Sequence, residues 1–160
     1  MSSFYSSRRL LVAAGAVLTV LAFAPSTSFA VKQTGGEYNT LYAGLGAKGY
    51  DVVSYFTDKK PAQGLDKFTT TFGGVTWQFA SSEHRDMFKA DPAKYAPQYG
   101  GFCSWGVSQG KLFDIDPVNG WTVSNAKLYL NFNGDINSTF ARDTEGFVSK
   151  AERNWGGLNK

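Results

Sequence analysis

Phe68-Thr69-Thr70-Thr71-Phe72-Gly73-Gly74-Val75-Thr76-Trp77-Gln78-Phe79-Ala80-Ser81-Ser82-Glu83-His84 is the stretch that decides the fold. Phe68, Thr70 and Phe72 alternate with Thr69 and Thr71. After Gly73-Gly74, Val75, Trp77 and Phe79 alternate with Thr76 and Gln78. Two runs of period two around a two-glycine turn predict a β-hairpin, because glycine supplies the positive φ that tight hairpin turns demand. Phe68, Phe72, Val75, Trp77 and Phe79 then share a core face, and the Thr and Gln face is expected to be solvated.

Downstream, Ser81 is placed to cap a helix, and Glu83 in the first turn suits the positive end of its dipole. That helix runs to Ala90, with His84 one turn before Met87 and Phe88 on the side facing the core. Asp91-Pro92 stops it and opens a short turn from Ala93 to Ala96. Upstream, Asp51 to Phe56 reads as a short strand, ended by Asp58-Lys59-Lys60-Pro61. Asp114-Ile115-Asp116-Pro117 is a turn, and Trp121 to Ser124 with Leu128 to Phe132 forms a second hairpin around Asn125-Ala126. The tail from Asp135 to Trp155 is helical in two pieces. Asp143 caps the second, whose stripe is Phe147, Val148, Ala151 and Trp155, and Gly156-Gly157 ends it. The fold class is α+β, antiparallel hairpins packed against a few short helices in one domain.

Of the 160 residues, the first thirty read as a cleaved secretory leader: Arg8-Arg9, an apolar run from Leu10 to Ala24, and the small-residue pattern Ser28-Phe29-Ala30. Ser7-Arg8-Arg9-Leu10-Leu11 approaches the twin-arginine pattern, but the strongly apolar core suits ordinary secretion better. The protein is therefore expected in the periplasm or outside the cell, with no membrane span after leader removal. The leader holds two of the 16 basic residues and none of the 13 acidic ones, so the exported 130 residues carry 14 against 13, a net charge of +1. So even a balance gives no reason to expect nucleic acid as a partner. Residues 31–48 are expected to be a flexible, Gly-rich segment ahead of a domain at 49–156.

Several chemistries lack their residues. Gly44 to Gly49 matches GxGxxG in form, but it precedes an extended segment rather than opening a helix, so no nucleotide is expected. The chain has one cysteine, Cys103, and one histidine, His84. It therefore has no internal disulfide, no CxxCH for haem, and no two-Cys or two-His zinc pattern.

The candidates that remain are few. Cys103 is a metal ligand, a redox thiol or an intermolecular bridge on one reading, and a small buried hydrophobe on the other. His84 is a ligand or a hydrogen-bonded core residue. Asp114 and Asp116, two apart on an extended segment, can share a face and hold a cation, although a turn explains Asp116 more simply. Tyr99, Phe102 and Trp105 flank Cys103 in a segment dense in glycine and aromatics, where an aromatic pocket can form.

Phe79-Ala80-Ser81-Ser82-Glu83-His84-Arg85-Asp86-Met87-Phe88-Lys89-Ala90-Asp91-Pro92, with Lys94-Tyr95, resembles the core of the YHS domain family. Gly49-Tyr50-Asp51-Val52-Val53-Ser54-Tyr55-Phe56 is similar to the opening of its longer, exported members. So are Tyr99-Gly100-Gly101-Phe102-Cys103, Val107-Ser108-Gln109-Gly110, Leu128-Tyr129-Leu130-Asn131-Phe132 and Asn154-Trp155. The resemblance implies a small metal-associated domain related to the TRASH-type metallochaperone fold. It also implies two ligand places: the first, usually cysteine, is Ala80 here, and the second is His84. Cys103 would have to supply the missing thiolate.

The leading expectation is an exported, non-enzymatic module that binds or senses a transition metal, copper or zinc, through His84 and Cys103 with help from Asp114 or Asp116. The alternative is a metal-free module whose aromatic pocket holds a small ligand or a partner protein. A thiol-dependent enzyme comes third.

Overall fold

In a computed structural model that describes residues 37–159, the hairpin forms where its glycines put it. β1 (Leu65–Phe72) pairs antiparallel with β2 (Val75–Phe79), setting Phe72 opposite Val75 and Thr70 opposite Trp77. Gly73 and Gly74 turn the chain at φ +61° and +74°. Val75, Trp77 and Phe79 are buried, as the alternation predicts, and Phe88 from the following helix packs against Trp77 and Phe79.

The reverse face of β2 differs from expectation. Gln78 is buried there, and its Nε2 donates to Asp66 Oδ1 at 2.6 Å. The cover comes from the Gly-rich segment, since Leu45 bridges to Thr76 in parallel sense. The described part of that segment, 37–48, is packed rather than free. Tyr38 sets its ring edge-on to Trp77 at 5.5 Å between centroids, and Asn39 and Ala47 are buried. Its glycines and the left-handed backbone at Ala47 and Lys48 (φ +47° and +56°) fit it closely to the hairpin instead of making it a linker.

Asp51 to Phe56 is not a strand. The chain turns at Asp51 and enters α1 (Ser54–Thr57). Oδ1 of Asp51 accepts from the backbone N–H groups of Val53 at 2.9 Å and Ser54 at 3.3 Å, an aspartate cap that begins a helical turn. Val52 and Val53 are apolar because both are fully buried, which a β-branched pair alone does not distinguish from a strand.

α2 (Ser82–Ala90) begins at its expected cap, Ser81 Oγ accepting from His84 N at 3.1 Å. Asp91 ends it and caps α3 (Pro92–Tyr95), one residue ahead of the expected turn because proline is well suited to a first helical position. α4 (Ser104–Ser108) follows, a helical turn within the segment dense in glycine and aromatics. β3 (Trp121–Ser124) and β4 (Lys127–Leu130) form the second hairpin, with Asn125 and Ala126 at φ +50° and +57°. Asn133 caps α5 (Gly134–Arg142) and Asp143 caps α6 (Thr144–Leu158). α6 continues through Gly156-Gly157, where a helix end is expected from sequence. It lies along α4, and Asn154 Nδ2 donates to the carbonyls of Val107 and Ser108 at 3.0 and 3.1 Å.

The described residues thus form one α+β domain with two cores. The first lies between the two hairpins, α1 and α2. The second lies under α4, α5 and α6, centred on Phe102, Val107, Tyr129 and Phe140. No helix among the described residues is long and apolar enough to cross a membrane. The leader expected over residues 1–30 lies outside the described residues.

Candidate functional site

His84 is held by Asp51, the residue at the turn into α1. Its Nδ1 lies 2.7 Å from Oδ2 of Asp51, a carboxylate with 0% exposure. The same Oδ2 accepts from Ala80 N at 2.9 Å, while Oδ1 caps the turn into α1. Every other partner of the Asp51 carboxylate is a backbone N–H, so the carboxylate accepts throughout and Nδ1 of His84 carries the proton between them. The local folding explains the placement. Ser81 fixes the start of α2, so His84 stands in its first turn beside the end of β2, directly over the Asp51 turn.

With Nδ1 committed, Nε2 is the nitrogen left to face outward. It lies 3.3 Å from Thr57 Oγ1 and 3.9 Å from Asp58 Oδ1, both at the exposed end of α1. Thr57 Oγ1 also lies 2.9 Å from Asp58 Oδ1. Asp51, Thr57 and Asp58 are absent from the sequence-derived candidates. One signal was available: Asp51-Val52-Val53-Ser54 has an aspartate three residues before a serine, the spacing of a capped turn.

Cys103 has a different neighbourhood. It is fully buried, with Sγ accepting from Gly106 N at 3.4 Å and 3.8 Å from Asn131 Oδ1. None of these partners is shared with His84. Burial pushes the thiol up from its ordinary value, against the backbone N–H groups of Gly106, Phe132 and Trp105 that favour the thiolate. Burial therefore favours the neutral thiol over the thiolate, the form that attacks and coordinates. Asn131, itself buried, organises the turn by accepting from Trp105 N at 3.0 Å and donating to Asn137 Oδ1 at 2.9 Å.

Asp114 and Asp116 each have local work. Asp114 pairs with Lys48 Nζ at 2.7 Å and accepts from Asn39 Nδ2 at 3.0 Å, which ties the segment before α1 to the body. Burial works against its charge, but the Lys48 ammonium and the Asn39 amide outweigh that and hold the carboxyl below the usual range. Asp116 accepts from Val118 N, Asn119 N and Asn119 Nδ2, closing the turn at Pro117. Among the described residues no group of three or more His, Cys, Asp and Glu side chains is assembled to hold a metal ion.

The aromatic pocket exists with a different lining. Trp105, Phe113, Phe132 and Ile136 enclose about 200 Å³, with Phe113 set edge-on to Phe132. Tyr99 and Phe102 turn away and pack on Trp155 instead. Tyr99 OH donates to Glu152 Oε1 at 3.2 Å. Phe113 and Phe132 come from extended segments on either side of the second hairpin, so nothing in the local spelling links them to Trp105.

No family model, no curated protein and no solved structure matches this chain.

Proposed function

We propose that the protein is an exported, non-enzymatic binding module of the YHS kind, and that the imidazole of His84 is the group through which it takes a transition metal ion, copper or zinc. The observation that carries this reading is the 2.7 Å contact between His84 Nδ1 and the buried Asp51 carboxylate. A carboxylate on one imidazole nitrogen fixes the tautomer and aims the lone pair of the other, the arrangement that orients metal-binding histidines. Here the aimed atom is Nε2, at the surface beside Thr57 and Asp58. The donor types suit borderline divalent ions. The residues present fit such an ion, and they fit it as a weakly held, exchangeable guest, because a single imidazole and nearby oxygens leave most of the coordination to solvent.

Isothermal titration of the purified protein with Zn(II) and with Cu(II) tests the reading. Binding at one site, abolished in His84→Gln, is expected. The substitution removes the imidazole lone pair and leaves a polar side chain beside Asp51. Full binding by His84→Gln would refute the reading.

The pocket beside Trp105 favours a second reading, the metal-free module. Its lining presents only apolar surface, and Phe132 is 51% exposed at its rim. Such a site takes an apolar group of side-chain size and discriminates by shape alone. Titration with toluene, followed by amide chemical shifts, should then move Trp105, Phe113, Phe132 and Ile136 together. Shifts scattered over the surface would count against it.

A further inference from the structure

We infer that the second protein donor at the His84 site is the carboxylate of Asp58, which makes the site a nitrogen–oxygen pair that selects Zn(II) and Cu(II) over Cu(I). The inference rests on the reading of His84 as the metal-binding group and specifies its partner.

Three observations carry it. The first is distance: Asp58 Oδ1 lies 3.9 Å from His84 Nε2. Metal–nitrogen and metal–oxygen bonds of about 2.0–2.2 Å at a tetrahedral angle put two donors roughly 3.4 Å apart. The gap therefore closes by about half an ångström, and the Asp58 side chain, 39% exposed at the end of α1, is free to rotate that far.

The second is the hydroxyl between them. Thr57 Oγ1 lies 3.3 Å from His84 Nε2 and 2.9 Å from Asp58 Oδ1, so one small polar atom already touches both donors. A metal ion can take that bridging role, with the hydroxyl turned back toward the Val53 carbonyl, which it already approaches at 3.2 Å.

The third is the elimination of competitors. Asp51 has both oxygens occupied by the N–H groups of Val53, Ser54, Ala80 and His84, and it is sealed from solvent. Cys103 is buried with Gly106 and Asn131 as its partners. Lys48 neutralises Asp114, and Asp116 is consumed by its own turn. Among the described residues, Asp58 alone offers a solvent-facing carboxylate oxygen within reach of Nε2.

The chemistry of the pair sets the preference. Imidazole and carboxylate suit Zn(II) and Cu(II), whereas Cu(I) seeks thiolate and thioether. Lys59 and Lys60, next in the chain, temper the local negative charge, so the ion is held loosely enough to exchange.

The test is titration of the purified protein with Zn(II) and Cu(II), and with Cu(I) by competition against bicinchoninate. Asp58→Asn should weaken Zn(II) and Cu(II) binding by about tenfold or more, a loss of the size seen when a group supporting a metal site is removed. Asp58→Glu should restore part of it, and Cys103→Ser should leave affinity within about twofold of wild type. Unchanged binding by Asp58→Asn while His84→Gln is inactive would overturn the inference and leave the reading of His84 standing. So would loss of binding in Cys103→Ser, or a preference for Cu(I). Absence of binding of all three ions to wild type would bring down both.

Discussion

The α-carbon of Gly100 sits directly under the carbonyl of Glu37, so closely that a β-carbon built on Gly100 would overlap that oxygen. The contact belongs to a seam in which Asn39 N donates to Gly100 O at 2.8 Å and Asn39 Nδ2 to Gly101 O at 3.4 Å. The chain ahead of the hairpin is stitched along the turn that leads to Cys103.

Gly100→Ala should therefore be far worse than Gly101→Ala. Both positions have positive φ, +60° and +75°, which costs a residue with a β-carbon about 1–2 kcal/mol. At Gly101 the tightest contact of the added carbon is Pro97 Cγ at 3.2 Å, and that ring can shift slightly. At Gly100 it meets backbone that must leave. The Gly100 variant should lose more stability and also show fast amide exchange over residues 37–49. Equal urea midpoints for the two would contradict the seam.

Trp77→Ala should cost on the order of 3–5 kcal/mol. The ring is 1% exposed, packs on Tyr38 and Phe88, and donates from Nε1 to Phe72 O at 3.1 Å. Thr71→Ala, on the open face of β1, should stay within about 0.5 kcal/mol. Comparable losses from the two in chemical denaturation would mean that the register is wrong.

Alkaline pH should unfold the protein from within. Burial and the Glu37 charge push the Tyr38 phenol up to about 12. Burial is also the leading cause of the upward shifts of Tyr55, Tyr99, Tyr129 and Cys103. Below the unfolded values, about 8.5 for thiol and about 10 for phenol, these groups are neutral in both states and their contribution is complete. Above them the unfolded chain ionises while the folded one resists, so stability falls as pH rises. Urea midpoints should drop steadily above about pH 9, and the absorbance of these four phenolates should appear together with unfolding. A flat midpoint to about pH 11 would contradict this.

What the sequence made legible was whatever is closed by neighbours. Gly73-Gly74 announces a turn because only a left-handed backbone joins those strands, and Ser81, Asp91 and Asp143 announce helix starts because a cap acts three residues away. Asp51 was opaque for the opposite reason. Its decisive partners are Ala80 and His84, 29 and 33 residues on, and no periodicity encodes them. Val52 and Val53 favour a strand by intrinsic preference, and burial overrode it. The candidate site was half visible: His84 stood out as the sole imidazole, while Thr57 and Asp58 looked like the polar end of a strand. Phe102 and Tyr99 shared composition with Trp105 but not direction, since the turn at Gly100-Gly101 sends them to Trp155.

Asp51→Ala should destabilise the protein by about 3–5 kcal/mol, since four buried or half-buried N–H groups lose their acceptor together. Thermal denaturation measures it. Asp51→Asn should fall between, because an amide oxygen can keep one side of the network while its NH₂ faces donors on the other.

That carboxylate also bears on time. The two hairpins close through loops of two residues, on the scale of microseconds. The joins from Asp51 to the end of β2 and to α2 need a much longer loop to shut, after the hairpin and helix exist. A group that engages late contributes little to the folding barrier and most of its worth to the unfolding barrier. Stopped-flow refolding of Asp51→Ala should run near the wild-type rate while unfolding accelerates, by two or more orders of magnitude if the full loss falls on that limb. The residue that aims His84 would then be the one that sets how long a folded molecule lasts between openings, and a metal ion on Nε2 would lengthen that interval further.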